Sequence, residues 1–401
     1  MITRRFWGLL LASALFFTAC GKDEIPKPSG PVKHTMLLYM PGRSLLYPYY
    51  ERNIEGIEKA VGTGAVRNGR ILVCYQPDSY DHATLLEIGY DTKQRKAIRK
   101  ELKIYETFHA ENTTSVQELF ADVQQLAPAE SYGLTIGCHG AGWIPAGTPL
   151  VGSYRLKQPM PGALVTRATR NFGDAGHQLD ISQLADAVAG LPYRFDYLIF
   201  DGCFMANIET LYDLRHAFDY VVASPCEIMG AGFPYERTTP HLFTGSNPDL
   251  AKVCHAFWYF YDQDWNTVSN NVRSGCISLA VMNELDALAA VVTEIQAGAT
   301  REYDINTLQY YEGLTKHVFY DLDDYMRAIC ADENLYARFK EQLNRAFPEA
   351  SRLHTPSFYS VYDTRMTTIK SYSGVTTSEP SQQFTAQHKG TSWYRRTHGV
   401  E

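Results

Sequence analysis

Leu134-Thr-Ile-Gly-Cys138 runs directly into His139-Gly140-Ala141-Gly142-Trp143, and Phe195-Asp-Tyr-Leu-Ile-Phe200 runs directly into Asp201-Gly202-Cys203-Phe204-Met205. Each is an apolar run of strand length that stops at small and reactive residues. Runs with little polar alternation fit strands buried on both faces, as in a parallel sheet. In such sheets ligands sit beyond the C-terminal ends of the strands. If these two strands are neighbours, His139 and Cys203 flank one cleft.

The flanking sequence repeats the pattern. His34–Met40 and Arg70–Tyr75 read as buried strands, with Ile54, Ile57 and Val61 at helical spacing between them. Ala83–Tyr90 reads as a strand facing Glu101–Thr107, and Thr114–Leu126 as a helix capped by Ser115 ahead of Glu118. Beyond Trp143 the segment 144–176 is rich in Gly and Pro and has little periodicity. Helices are expected at Asp180–Val188 and Ile208–Phe218, and a short strand at Tyr220–Ala223. From Thr239 onward the chain reads as mainly helical. Helices are expected at Leu250–Phe260, Asn283–Gln296, Leu314–Ala328 and Leu335–Phe347, with short strands at Cys276–Ala280, Ser357–Tyr362 and Tyr372–Thr376. Strands alternating with helices predict an α/β fold with a mostly parallel sheet covered on both faces, plus a mainly helical C-terminal region docked on it. The expected division is a core at 33–238 and a C-terminal region at 239–401.

The N-terminus reads as a targeting segment. Arg4 and Arg5 precede an apolar run, Phe6–Phe17, which ends in Thr18-Ala19-Cys20. Basic, apolar and small residues in that order predict a signal peptide over residues 1–19. Cys20 resembles the lipidated cysteine of bacterial lipoproteins, and several acyl chains on one residue give stable attachment. Residues 20–32 would then be a tether, since the Pro-rich stretch to Pro31 has little to pack. Lys22-Asp23-Glu24 resembles the surface-export signal of Bacteroides-type bacteria. The reading is an exported chain, lipid-anchored in the cell envelope, at the outer membrane and surface-exposed.

Composition narrows the partners. The 401-residue chain has a formal charge of -7 and no basic block, which argues against nucleic acid. Its 27 tyrosines suit a surface that holds peptides or glycans, and equally an ordinary core. Of eight cysteines, Cys20 goes to lipid, and the odd number left gives at least one without an internal partner. No CxxC occurs and the spacings form no zinc site, so no metal ligands are assigned. Cys203 is then the candidate nucleophile and His139 its proton-transfer partner. Gly140, lacking a side chain, lets its N–H approach an oxyanion, with the Cys203 N–H as second donor. Asp201 also fits a turn cap, and Glu227 a solvated loop acid or cap.

These motifs resemble the clostripain family of cysteine peptidases, relatives of caspases, legumain and gingipains. The family's His-Gly-x-Gly after a strand is matched at His139–Gly142, and its Asp-x-Cys-x-Met at Asp201–Met205, followed by Glu209. Ser224-Pro-Cys-Glu227, Tyr39-Met40 and Thr391-Ser-Trp-Tyr394 are similar to flanking family patterns. The resemblance spans about residues 33–395. It implies a caspase-like three-layer sandwich, a His139–Cys203 dyad, and hydrolysis of protein or peptide substrates after basic residues, Arg above Lys. Asp201, and Glu227 as a second acid, would hold the basic side chain. Self-cleavage in the loop after the histidine is implied too, which draws attention to Arg155, Lys157, Arg167 and Arg170. No cofactor is called for; some members use calcium, but no EF-hand pattern occurs here. Pro41-Gly42-Arg43-Ser44 and the aromatic Tyr47–Tyr50 depart from the family pattern after the first strand. The competing reading is a non-catalytic surface lipoprotein on the same scaffold that binds peptides or glycans.

Overall fold

The computed structural model describes residues 25, 31–41, 46–66, 68–76, 82–148, 172–174, 177–245, 247–267, 271–299 and 301–400. Its centre is a nine-stranded sheet. Five strands run parallel through the middle, in the spatial order Tyr220–Ala223, Tyr197–Asp201, Ser131–Gly137, His34–Met40, Gly69–Tyr75. Antiparallel strands extend both edges: Ala83–Asp91 and Lys96–Tyr105 on one side, Cys276–Val281 and Leu353–His354 on the other. The sheet is therefore mixed, with a parallel centre, and it continues past residue 238 into the C-terminal part of the chain.

Alternation along each strand builds the layers. Leu37 and Tyr39 face one apolar cluster, while Met36, Leu38 and Met40 face the other. The first cluster is closed by helices Thr113–Leu126, Ile181–Ala189, Leu285–Ala297 and Glu333–Ala346. The second is closed by Tyr47–Gly62, Tyr235–Phe243 and Leu250–Tyr259. A three-layer sandwich results, with the C-terminal helices in the layers and not on a separate body. Among the described residues no helix is long and apolar enough to cross a membrane.

Several boundaries move for local reasons. The helix expected from Thr114 starts at Thr113, because Asn112 rather than Ser115 caps it and accepts the N–H groups of Thr114 and Ser115. The partner of Ala83–Asp91 is Lys96–Tyr105, not Glu101–Thr107. The helix after Cys203 ends at Leu214. Of the helix expected over Leu314–Ala328 only Leu322–Ile329 forms. The Glu312 carboxylate accepts the N–H groups of Leu314, Val318 and Phe319, so those donors are spent on a side chain instead of helical carbonyls. The strand expected over Tyr372–Thr376 is Thr376–Thr377.

Candidate active site

Register decides the site. Ser131–Gly137 and Tyr197–Asp201 are parallel neighbours with Gly137 opposite Asp201. His139 and Cys203 each lie two residues beyond that pair, so the histidine loop and the cysteine loop leave the sheet side by side. The Cys138 N–H donates to the Asp201 carbonyl at 3.1 Å, which carries the pairing one step past the strands. The loops then pack backbone on backbone. A Cβ on Gly140 would collide with the Cys203 carbonyl oxygen and lie 3.0 Å from the Cys203 nitrogen. Gly140 is thus required by close approach, and Gly142 by a φ of +59°.

The backbone turns sharply after Cys203. Phe204 is left-handed, at φ +61°, a conformation that costs a non-glycine residue roughly 1 kcal/mol. Packing and hydrogen bonds hold it there. Its ring stacks on Phe319 at 5.0 Å, and its N–H donates to the Cys226 carbonyl at 3.1 Å. Ala206 adds a bond to the Ser224 carbonyl at 2.9 Å. The Cys203 side chain is half-buried, and Sγ faces the Ile228 carbonyl oxygen at 3.9 Å. Burial pushes its thiol up, and a Glu227 carboxylate, when ionised, pushes it further.

A narrow cleft of about 40 Å³ opens over this pair, with His139, Cys203 and Asp201 in its lining. Asp201 is buried, and its Oδ2 accepts the Phe233 N–H at 3.1 Å and the Tyr235 hydroxyl at 3.0 Å. Burial raises its carboxyl to about 6 despite those donors. Gly232, at φ +68°, keeps the acid open: a Cβ there would lie 2.5 Å from Asp201 Oδ2. Glu227 is placed differently. It is buried outside the cleft lining, its Oε1 accepts the Val361 N–H at 2.9 Å, and its Oε2 has no partner. Burial first, then Glu312 and Asp363, raise it to about 8 against the pull of Ser360 and Val361.

The first helix supplies the far wall, which the motifs did not reveal. Tyr49, Tyr50 and Asn53 line the cleft with Leu46. The Tyr50 hydroxyl donates to the Gly137 carbonyl at 2.9 Å, and Asn53 Nδ2 to the Ala231 carbonyl at 3.0 Å. The sequence signal was the aromatic run Tyr47–Tyr50, in the segment that follows the strand His34–Met40. Also unforeseen is a C-terminal apolar cluster, with Leu314, Phe319 and Tyr362, that packs Phe204 and touches Cys203. Among the described residues no group of three His, Cys, Asp or Glu side chains is placed to hold a metal, calcium included. Cys20, Arg155, Lys157, Arg167 and Arg170 lie outside the described residues.

A cysteine and a histidine at in-register ends of adjacent parallel strands, inside a three-layer sandwich, define the class of caspase-like cysteine hydrolases. Residues 38–374 match the C11 peptidase, or clostripain, family, and the chain belongs to that family. It is a cysteine endopeptidase. A secreted C11 cysteine protease from Bacteroides thetaiotaomicron, iotapain, is 31% identical over 92% of this chain and 100% of its own, with a TM-score of 0.80. A clostripain from the same species, in complex with the peptide inhibitor BTN-VLTK-AOMK, is 34% identical over 57% of this chain and 98% of its own, with a TM-score of 0.51. An inactive zymogen C11 protease from Parabacteroides distasonis shares the fold at 24% identity, covering 94% of this chain and 100% of its own, with a TM-score of 0.74. No curated protein matches the sequence.

Proposed function

We propose that this enzyme hydrolyses peptide bonds after basic residues, Arg preferred and Lys accepted, with Cys203 as nucleophile and His139 as general acid and base. The observation that carries the assignment is the register of Gly137 with Asp201, which sets the two loops side by side. His139 takes the proton of the resting Cys203 thiol as the sulfur attacks the scissile carbonyl carbon. The N–H groups of Gly140 and Cys203 donate to the oxyanion that forms. His139 then protonates the leaving amine, which leaves a thioester on Cys203. Water, deprotonated by His139, hydrolyses the thioester and restores the thiol.

Asp201 binds the basic side chain from the floor of the cleft. A buried carboxylate pairs best with a guanidinium, whose fork of donors matches its two oxygens. The Lys that ends the peptide of the inhibitor held by the 34%-identical clostripain supports a basic preference. Glu227, buried outside the cleft lining, is the looser and more distant second acid. Arg155, Lys157, Arg167 and Arg170 are the candidate points of self-cleavage. Residues 1–19 direct export, and lipid on Cys20 anchors the enzyme in the cell envelope. Membrane-bound enzyme that becomes soluble on Cys20→Ser supports the anchor, and unchanged fractionation contradicts it.

Cleavage of fluorogenic Arg and Lys peptides by the wild type and by Cys203→Ala tests the mechanism. The variant is expected to lose at least about a thousandfold in turnover. Equal turnover by both proteins refutes the nucleophile.

A further inference from the structure

Glu209 lies in the first turn of the helix Ile208–Leu214 and is fully buried. A carboxylate carried into a core without partners is costly, and this one collects three donors on a single oxygen. Its Oε1 accepts the Thr377 hydroxyl at 2.9 Å, the Ser378 N–H at 2.8 Å and His388 Nε2 at 2.9 Å. Its Oε2 is buried with no partner. The chain of contacts continues to the other catalytic loop. Trp143, four residues after His139, donates its indole N–H to Ser378 Oγ at 2.7 Å and packs edge-on against the His388 ring at 5.3 Å. The same segment is stitched to the cysteine loop, since the Thr376 N–H donates to the Ala206 carbonyl at 2.9 Å. The histidine loop and the cysteine loop are therefore each fastened to one strap, residues 376–379, and Glu209 is where the strap's bonds converge.

We propose that Glu209 is a positioning residue of the catalytic site, holding the His139 loop against the Cys203 loop through Ser378 and Trp143, with His388 as its counter-ion. The proposal rests on the assignment of His139 and Cys203 as the reacting pair. Such a brace matters because a displacement of about 1 Å at reacting groups costs on the order of a hundredfold in rate.

The brace responds to pH. Facing Glu209 are His388 and, beyond it, Glu379, whose Oε1 meets His398 Nε2 at 3.1 Å. The Tyr394 ring packs on both histidines, the phenols of Tyr303 and Tyr325 feel the charge of Glu379, and Asp213 on Glu209's own helix is held by Ser392. Burial alone would lower the pKa of His388, but the bond and charge of Glu209, with Glu379, raise it. A raised folded value means that the ion pair stabilises fully below the unfolded pKa and is lost as pH rises through the folded one. Burial also raises the carboxyl of Glu379. Alkaline pH thus leaves Glu209 without a cation, and kcat falls there.

The test uses the full chain and a fluorogenic Arg peptide. Trp143→Phe and Glu209→Gln are each expected to lower kcat on the order of tenfold with KM held within about twofold, and the double variant to be no slower than the slower single. His388→Gln, which keeps an N–H donor, is expected to flatten the alkaline fall in kcat. Losses that multiply in the double variant overturn the proposal. So does a lower melting temperature with kcat unchanged, or an alkaline limb that persists in His388→Gln. Where Glu209→Gln does not fold, Trp143→Phe and Ser378→Ala carry the same comparison. Full turnover by Cys203→Ala brings down the dyad itself, whereas a dead Cys203→Ala beside a fully active Glu209→Gln brings down only the brace.

Discussion

The end of the strand Tyr197–Asp201 and the loop after Tyr220–Ala223 both bring a buried acid close to Cys203, and the two acids differ in what they face. Asp201 looks into the cleft, with its Oδ2 held by Phe233 and Tyr235 and room left by Gly232. Glu227 looks away from the cleft, toward the segment that contains Val361. Burial raises both, Asp201 to about 6 and Glu227 to about 8. Burial thus holds Glu227 further toward the neutral form than Asp201. A charged Glu227 would oppose the thiolate, because it is the largest electrostatic contribution that raises the Cys203 thiol. On the proposed mechanism the two carboxyls divide into a charge for recognition and a more readily neutral acid beside the proposed nucleophile.

The largest test of that division is Asp201→Asn. Losing the carboxylate that receives a buried cation typically costs 2–5 kcal/mol, so kcat/KM on Arg and Lys peptides is expected to fall roughly a hundredfold. An equal fall on peptides with a neutral residue before the scissile bond would make Asp201 structural only.

Glu227→Gln is expected to do less. Glutamine keeps an acceptor for Val361 and removes the titration. Because Glu227's folded pKa lies above its unfolded value, the wild type loses stability as pH climbs from about 4.5 to about 8. The variant should therefore melt a few degrees above the wild type at pH 9, and by less at pH 5. Alkylation of Cys203 should also speed up in the variant, most clearly above pH 8, where the wild-type acid is charged. A stability difference that does not vary with pH would place the charge elsewhere.

A separate test, read in stability and not in specificity, concerns the turn that presents the thiol. Phe204→Gly relieves the left-handed strain but gives up the stack on Phe319. Loss of a buried aromatic outweighs the relief, so stability falls by about 2–3 kcal/mol in chemical unfolding. A stabilised variant would show that strain dominates at this turn.

Much of this was legible in the sequence because the central strands are apolar on both faces and end abruptly in Gly, His, Asp and Cys. That pattern singled out His139, Gly140, Asp201 and Cys203 as candidates, and the structure brings their two loops side by side. The support was harder to read. Glu209 stood out only as a residue after a motif, and its donors, Thr377, Ser378 and His388, lie more than 160 residues further on. Glu312 remakes an expected helix by taking its N–H groups, a competition that side-chain periodicity does not record. The antiparallel strand Cys276–Val281 is short, and only its pairing with Tyr220–Ala223 shows that the sheet runs on. Local pattern drew attention to the candidate site, whereas the bonds that support it are long-range.

The most direct measurement is the site of covalent capture by an Arg-directed peptide ketone, read by mass spectrometry of the digested enzyme. The adduct is expected on the peptide that carries Cys203, in one-to-one yield with lost activity, and to disappear in Cys203→Ala. Full inactivation with Cys203 unmodified, or with the adduct on any of the other cysteines, would contradict the assignment.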